Sequence, residues 1–196
     1  MSAPAPYSRR AANLITSLLL LFVVNVISSP AQGSDLPLSI QVALISKIIS
    51  FDRSGRAAKE PTFHIAVIYQ RKLPSSLRIL STLQQLAPVP TIGGKPVRFT
   101  GIDLDAGTDP FSQVETASPH AVYVTAMRGV DIDRITAITR KLRLLSFTGV
   151  AEYTESGISI GLVELGDKPQ IIINLEATRA EGADLSARLL AIAKVL

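Results

Sequence analysis

The stretch FHIAVIYQ, residues 63–70, limits this chain more than any other. It is rich in β-branched and aromatic residues, short for a helix, and apolar at successive rather than alternate positions. That pattern belongs to a strand covered on both faces. Such a strand needs helices above and below its sheet, and the rest of the chain has to supply them.

The neighbouring segments do so in alternation. LSIQVALISKIISF, residues 38–51, places Ile40, Ala43, Leu44, Lys47, Ile48 and Phe51 at helical spacing, and residues 52–61 carry loop chemistry of glycine, proline and mixed charge. Pro74-Ser75-Ser76 opens a second helix with Leu77, Leu80, Leu83 and Leu86 on one face, stopped by Pro88 and Pro90. A Gly93-Gly94 turn leads into a strand at 96–104, a short helix or loop spans 111–115, and HAVYVTAM, residues 120–127, is a further strand. The helix predicted over 131–143 begins at Asp131 and ends in Arg140, Lys141 and Arg143, a charge order that suits the helix dipole. A strand around 144–147 precedes a loop at 149–157, and a hairpin then turns at Leu165-Gly166-Asp167-Lys168.

Residues 171–173 are three isoleucines, read as a strand interior to the sheet. Asn174 is expected to cap a short helix that Gly182 ends in a left-handed conformation. Asp184 is expected to cap a final helix with Leu185, Leu189, Ile192 and Leu196 on its apolar face. The fold class is therefore α/β. A single domain is predicted, with a mixed β-sheet of about five or six strands flanked by helices, a C-terminal β-hairpin and a terminal helix.

The first residues have the three parts of a secretory signal: Arg9 and Arg10, an apolar run at 13–27, and small residues at Ser29 and Ala31. This divides the chain into a signal peptide at 1–31 and a domain at 32–196, exported to the periplasm. An uncleaved membrane anchor is the competing reading, although the apolar run is short against the roughly 20 residues of a bilayer span. Twin-arginine export fits the residues after Arg10 poorly. The chain has 0 cysteines, which excludes a disulfide framework, thiolate metal sites and cysteine nucleophiles. Its formal charge of +4 falls when Arg9 and Arg10 are removed, and no basic stripe remains to argue for nucleic acid.

Catalytic chemistry is hard to assemble. The 2 histidines, His64 and His120, stand at the starts of apolar strands, and no G-x-S-x-G elbow offers a nucleophile. Asp103, Asp105 and Asp109 superficially resemble a calcium loop, but Gly107 is misplaced and no closing glutamate follows. Gly93-Gly94-Lys95 lacks the spacing and the following helix of a phosphate loop. No catalytic, cofactor or metal residue is assigned. The basic set Arg134, Arg140, Lys141 and Arg143 is the candidate contact surface for a partner.

From Gly157 onward the chain resembles the YfiR-like family of exported bacterial proteins. The resemblance rests on Gly157, Gly166, Ile173-Asn174, Ala177, Gly182, Ser186, Leu189, Leu190 and Ala193. Ile171 replaces a common aromatic, Ala187 replaces a frequent serine, and residues 50–55, SFDRSG, replace the family's usual ending of the first helix. What the resemblance implies is a non-catalytic periplasmic repressor that binds the exterior domain of an inner-membrane diguanylate cyclase and so controls cyclic di-GMP. It also implies sequestration by an outer-membrane lipoprotein, and a homodimer is compatible with it. The alternative is a periplasmic small-ligand-binding or adaptor protein of the same fold without a cyclase partner.

Overall fold

The computed structural model describes residues 36–54 and 60–196. The expected signal peptide at 1–31 lies outside the described residues, as does the middle of the loop expected at 52–61. In chain order the elements are α1 (Leu38–Ser50), β1 (Phe63–Tyr69), α2 (Pro74–Gln84), β2 (Thr91–Ile92), β3 (Lys95–Asp103), α3 (Pro110–Ala117) and β4 (Ala121–Val124). Then follow α4 (Ile132–Leu142), β5 (Leu145–Thr148), α5 (Ala151–Glu155), β6 (Ile160–Leu165), β7 (Lys168–Ile173), α6 (Leu175–Ala180), α7 (Ala187–Leu190) and β8 (Lys194–Val195).

Local chemistry explains most boundaries. Pro74 and Pro110 occupy first turns, where a missing amide hydrogen costs nothing. The Asp109 carboxylate accepts from Ser112 N at the start of α3, and the Asp131 carboxylate accepts from Asp133 N at the start of α4. Helix α4 stops where Arg143 turns left-handed at φ 53°. Gly93 and Gly94, at φ 58° and 78°, make the tight turn between β2 and β3, so the expected Gly93-Gly94 turn is present.

One sheet gathers the strands in the order β2-β3-β1-β4-β5-β6-β7-β8. The pairs β3·β1, β1·β4, β4·β5 and β5·β6 are parallel, while β2·β3 and the β6·β7 hairpin are antiparallel. Strand β1 is buried along its whole length, as its unbroken apolar run requires. Its side chains alternate between two cores. Ile65 and Val67 join Ile45, Ile48, Leu83, Tyr123 and Phe147 beneath α1 and α2. Ala66 and Ile68 join Val122, Val114, Ile135, Ile138 and Tyr153 beneath α3, α4 and α5. Full burial of such aliphatic side chains is worth about 1.5–3 kcal/mol each, and β1 contributes to both cores.

The sheet has eight strands rather than five or six. The additional ones, β2 and β8, are only 2 residues long and leave no periodic signal. The terminal helix is also corrected: α7 is 4 residues long and the chain closes with β8 running parallel to β7. Leu185 and Leu189 are buried as expected, but Ile192 and Leu196 are 66% and 44% exposed, so no four-residue apolar face exists. Ser186, not Asp184, stands before α7, and the Asp184 carboxylate pairs with Arg53 at 2.9 Å. The buried face of α1 is likewise Gln41, Val42, Ile45 and Ile48 rather than the Ile40 stripe. Apolar residues surround that helix, and the Gln41 amide decides its rotation by donating to Leu36 O and accepting from the Tyr123 hydroxyl. The expected 149–157 loop contains α5.

Candidate functional site

The strand order reverses at β1. The chain leaves β1 for β3 on one side, then returns past it to β4 on the other. In a doubly wound sheet the loops leaving such a pair diverge, and a crevice opens beyond the carboxyl ends of the strands. A cleft of about 830 Å³ lies there, reached by Gln70 after β1, residues 107–111 after β3, and residues 129–131 after β4. Its buried lining is Ile135 and Ile138 of α4, with Leu104, Phe111 and Val130 half-buried beside them. Asp109, Asp131 and Arg134 are exposed around this apolar surface.

The loops that form the cleft are tied by side chains to backbone. The buried Asp103 carboxylate accepts from Asp105 N at 3.0 Å and from Arg71 Nε at 2.7 Å, and Asp105 accepts from Lys72 N at 2.7 Å. Burial alone would raise the Asp103 pKa, but these hydrogen bonds and the Arg71 charge hold it below the usual carboxylate range. Asp103 and Asp105 thus join the loops after β1 and β3, and Asp109 caps α3. Hydrogen bonds from Ser112 N and Oγ lower the Asp109 pKa, with the Arg134 charge adding to the effect.

The β4–α4 loop is held from two directions. Gln70 Nε2 donates to Arg128 O at 2.9 Å while Gln70 Oε1 accepts from Arg128 N at 2.8 Å. The Tyr153 hydroxyl accepts from Met127 N at 3.0 Å and donates to Met127 O at 3.1 Å. Burial raises the Tyr153 pKa, so the phenol stays protonated and keeps both roles. The wall of the cleft is therefore fixed before anything enters it.

A family model described as YfiR/HmsC-like matches residues 39–194. The chain belongs to the YfiR/HmsC-like family. No curated protein matches it. Among solved structures, the ligand-free, open structure of CD0873, a substrate binding protein with adhesive properties from Clostridium difficile, superposes with a TM-score of 0.59 at 13% identity. The match covers 83% of this chain and 60% of that protein, and at such identity the likeness is one of fold.

Within this YfiR/HmsC-like domain the four basic candidates do not form one patch. Arg134 lines the cleft, and Lys141 Nζ sits 4.0 Å from the centroid of the Phe111 ring. Two helical turns separate them, so both face α3. Arg140 lies against Gly157 and Arg143, the C-cap of α4, against Gly182.

His64 and His120 meet at the opposite, amino-terminal end of the sheet. His120 Nδ1 accepts from His64 N at 2.9 Å, and the His64 ring contacts Thr100 Oγ1 at 2.8 Å and Arg98 at 3.4 Å. Those partners hold the rings in place and assemble no hydrolytic triad. Burial, then the charges of Arg98 and His120, lowers the His64 pKa.

Sequence reasoning missed Glu181. Its fully buried carboxylate accepts from Ser146 N at 2.8 Å and Ser146 Oγ at 2.7 Å, and from the Ser159 hydroxyl. It fills the gap where β5 and β6 separate. Burial raises its pKa against the pull of these hydrogen bonds. A glutamate before a helix-ending glycine reads as surface, and only the tertiary fold shows otherwise. Gln70 was equally silent, since no spacing announces a carboxamide that reads a distant backbone. Among the described residues no helix is long and apolar enough to cross a membrane.

Proposed function

We propose that this chain is an exported, non-catalytic regulator that binds the periplasmic domain of an inner-membrane diguanylate cyclase and restrains it, holding down cyclic di-GMP in the cell. Membership of the YfiR/HmsC-like family over residues 39–194 is the observation that carries this reading. The task needs no bond chemistry. A repressor works by binding the inactive arrangement of the cyclase more tightly than the active one, and an outer-membrane lipoprotein that competes for the repressor relieves it.

For the partner contact, the exposed cations of α4 and its C-cap Arg143 remain the candidates. Arg134 and Lys141 lead, because both stand beside the rigid cleft and a fixed surface loses little entropy on docking. Arg140 and Arg143 form the second group. Deleting the gene in cells that retain the cognate cyclase tests the reading. Cellular cyclic di-GMP should rise and fall again on complementation, and an unchanged level overturns the proposal. Charge reversal at Arg134 and Lys141 together should reproduce the deletion if that face makes the contact.

A further inference from the structure

The cleft contains charges that do not close on one another. Asp109 stands at the start of α3 and Arg134 one turn into α4, near enough for the Arg134 charge to lower the Asp109 pKa. Arg134 nevertheless makes no hydrogen bond or ion pair with any described residue. Ser112 N and Ser112 Oγ both donate to Asp109 Oδ2, and the Phe111 amide adds a backbone contact. Asp131 accepts from Asp133 N through Oδ1 alone. Two carboxylates and a guanidinium thus keep bonding capacity around an apolar surface of Leu104, Phe111 and Val130.

We propose that this cleft binds a small zwitterion with a compact apolar body, its ammonium group on the Asp109 and Asp131 side and its carboxylate on Arg134. Four independent features support the site. Topology places a crevice at this point of a doubly wound sheet. Its volume of about 830 Å³ suits a small molecule. Gln70 and Tyr153 fix its wall in advance, so binding orders little backbone. The charges across it have opposite signs, which disfavours a simple anion or cation: either would meet one attractive group and one repulsive one. A zwitterion satisfies both while its body covers apolar surface. This inference goes beyond the regulator reading and does not depend on it.

The experiment is isothermal titration of the full, exported chain with leucine and with 6-aminohexanoate, which place the two charges adjacent and apart. Leucinamide, lacking the carboxylate, and 4-methylpentanoate, lacking the ammonium group, are the controls. At least one zwitterion should bind, and the control missing a charge should bind at least about tenfold more weakly, the size of one lost hydrogen bond to a charged group. Asp109→Asn should weaken the zwitterion but not 4-methylpentanoate, which loses a repulsive charge, and Arg134→Gln should weaken it but not leucinamide, for the same reason. Asparagine is itself a good N-cap, so Asp109→Asn keeps α3 intact. In the unaltered protein, amide shifts on titration should centre on Phe111 and Val130. Failure of both zwitterions to bind at about 10 mM, about tenfold above a millimolar Kd, overturns the proposal. So does binding that neither substitution changes, or shifts centred elsewhere.

Discussion

Gln70 holds Arg128 as a second strand would, with its carboxamide donating to the carbonyl at 2.9 Å and accepting from the amide at 2.8 Å. Tyr153 does the same to Met127 from the other side. Gln70→Ala should cost about 1–2 kcal/mol and Tyr153→Phe about 1–3 kcal/mol, because the tyrosine pair is buried. Both act on one loop, so the double variant should cost less than the sum. Denaturant unfolding measures the cycle, and hydrogen exchange should accelerate at the Arg128 amide in Gln70→Ala.

Acid should weaken the fold in two stages. His64 has a pKa lowered from 6.5, so as pH falls below that value the unfolded chain takes up a proton that the folded chain refuses. Stability drops until the folded imidazole also protonates. Asp103 and Asp109, whose pKa values lie below 3.8, act later: their contribution is present above that value and lost as pH falls through the folded ones. His64→Gln removes the titration and should flatten the first stage in urea midpoints measured across pH, leaving the second in place.

Glu181 works in the opposite sense. Its pKa is raised from 4.5, so above that pH the unfolded carboxyl ionises first and stability declines until the folded one follows. Glu181→Ala would strand the Ser146 amide and the Ser146 and Ser159 hydroxyls, and should cost more than about 3 kcal/mol. The same variant should lose the decline with rising pH, which thermal unfolding at several pH values would record.

Thr154 Oγ1 is buried with no hydrogen-bond partner among the described residues and points at Gly161, where a Cβ would collide with it. Thr154→Val keeps the shape and removes the unpaired hydroxyl, so it should stabilise the protein by about 1 kcal/mol in chemical denaturation. Gly161→Ala should destabilise by about 1–3 kcal/mol through overpacking.

Truncation separates the two parts of the tail. Ending the chain after Gly182 removes buried Ala183, Leu185 and Leu189, and soluble expression should be lost. Ending it after Ala191 removes exposed Ile192 and the short β8, and the product should remain folded with a lowered melting temperature.

The sequence carried the central fold because β1, β4 and the hairpin are apolar over enough residues to exceed local noise. Asn174 and Gly182 were legible too, since capping and a left-handed turn are local demands. What escaped was set by tertiary context. The rotation of α1 follows from one glutamine among many apolar neighbours, and α7 gave way to β8 because Leu196 N finds Ile173 O across the sheet. The cleft could not be read at all. Topology builds it from three separate loops, and its charged residues Asp109, Asp131 and Arg134 had been marked separately, each for a different reason.

The junction of β5 and β6 is held by a short ladder. Two register pairs, Phe147 with Ile160 and Thr148 with Gly161, join strands there, against the unbroken ladder of seven between β1 and β3. Beyond those pairs the connection is a carboxylate and two serines. Among the strands longer than two residues this is the shortest ladder, so under a load applied between the ends of the domain the hairpin should peel away before the central strands shear.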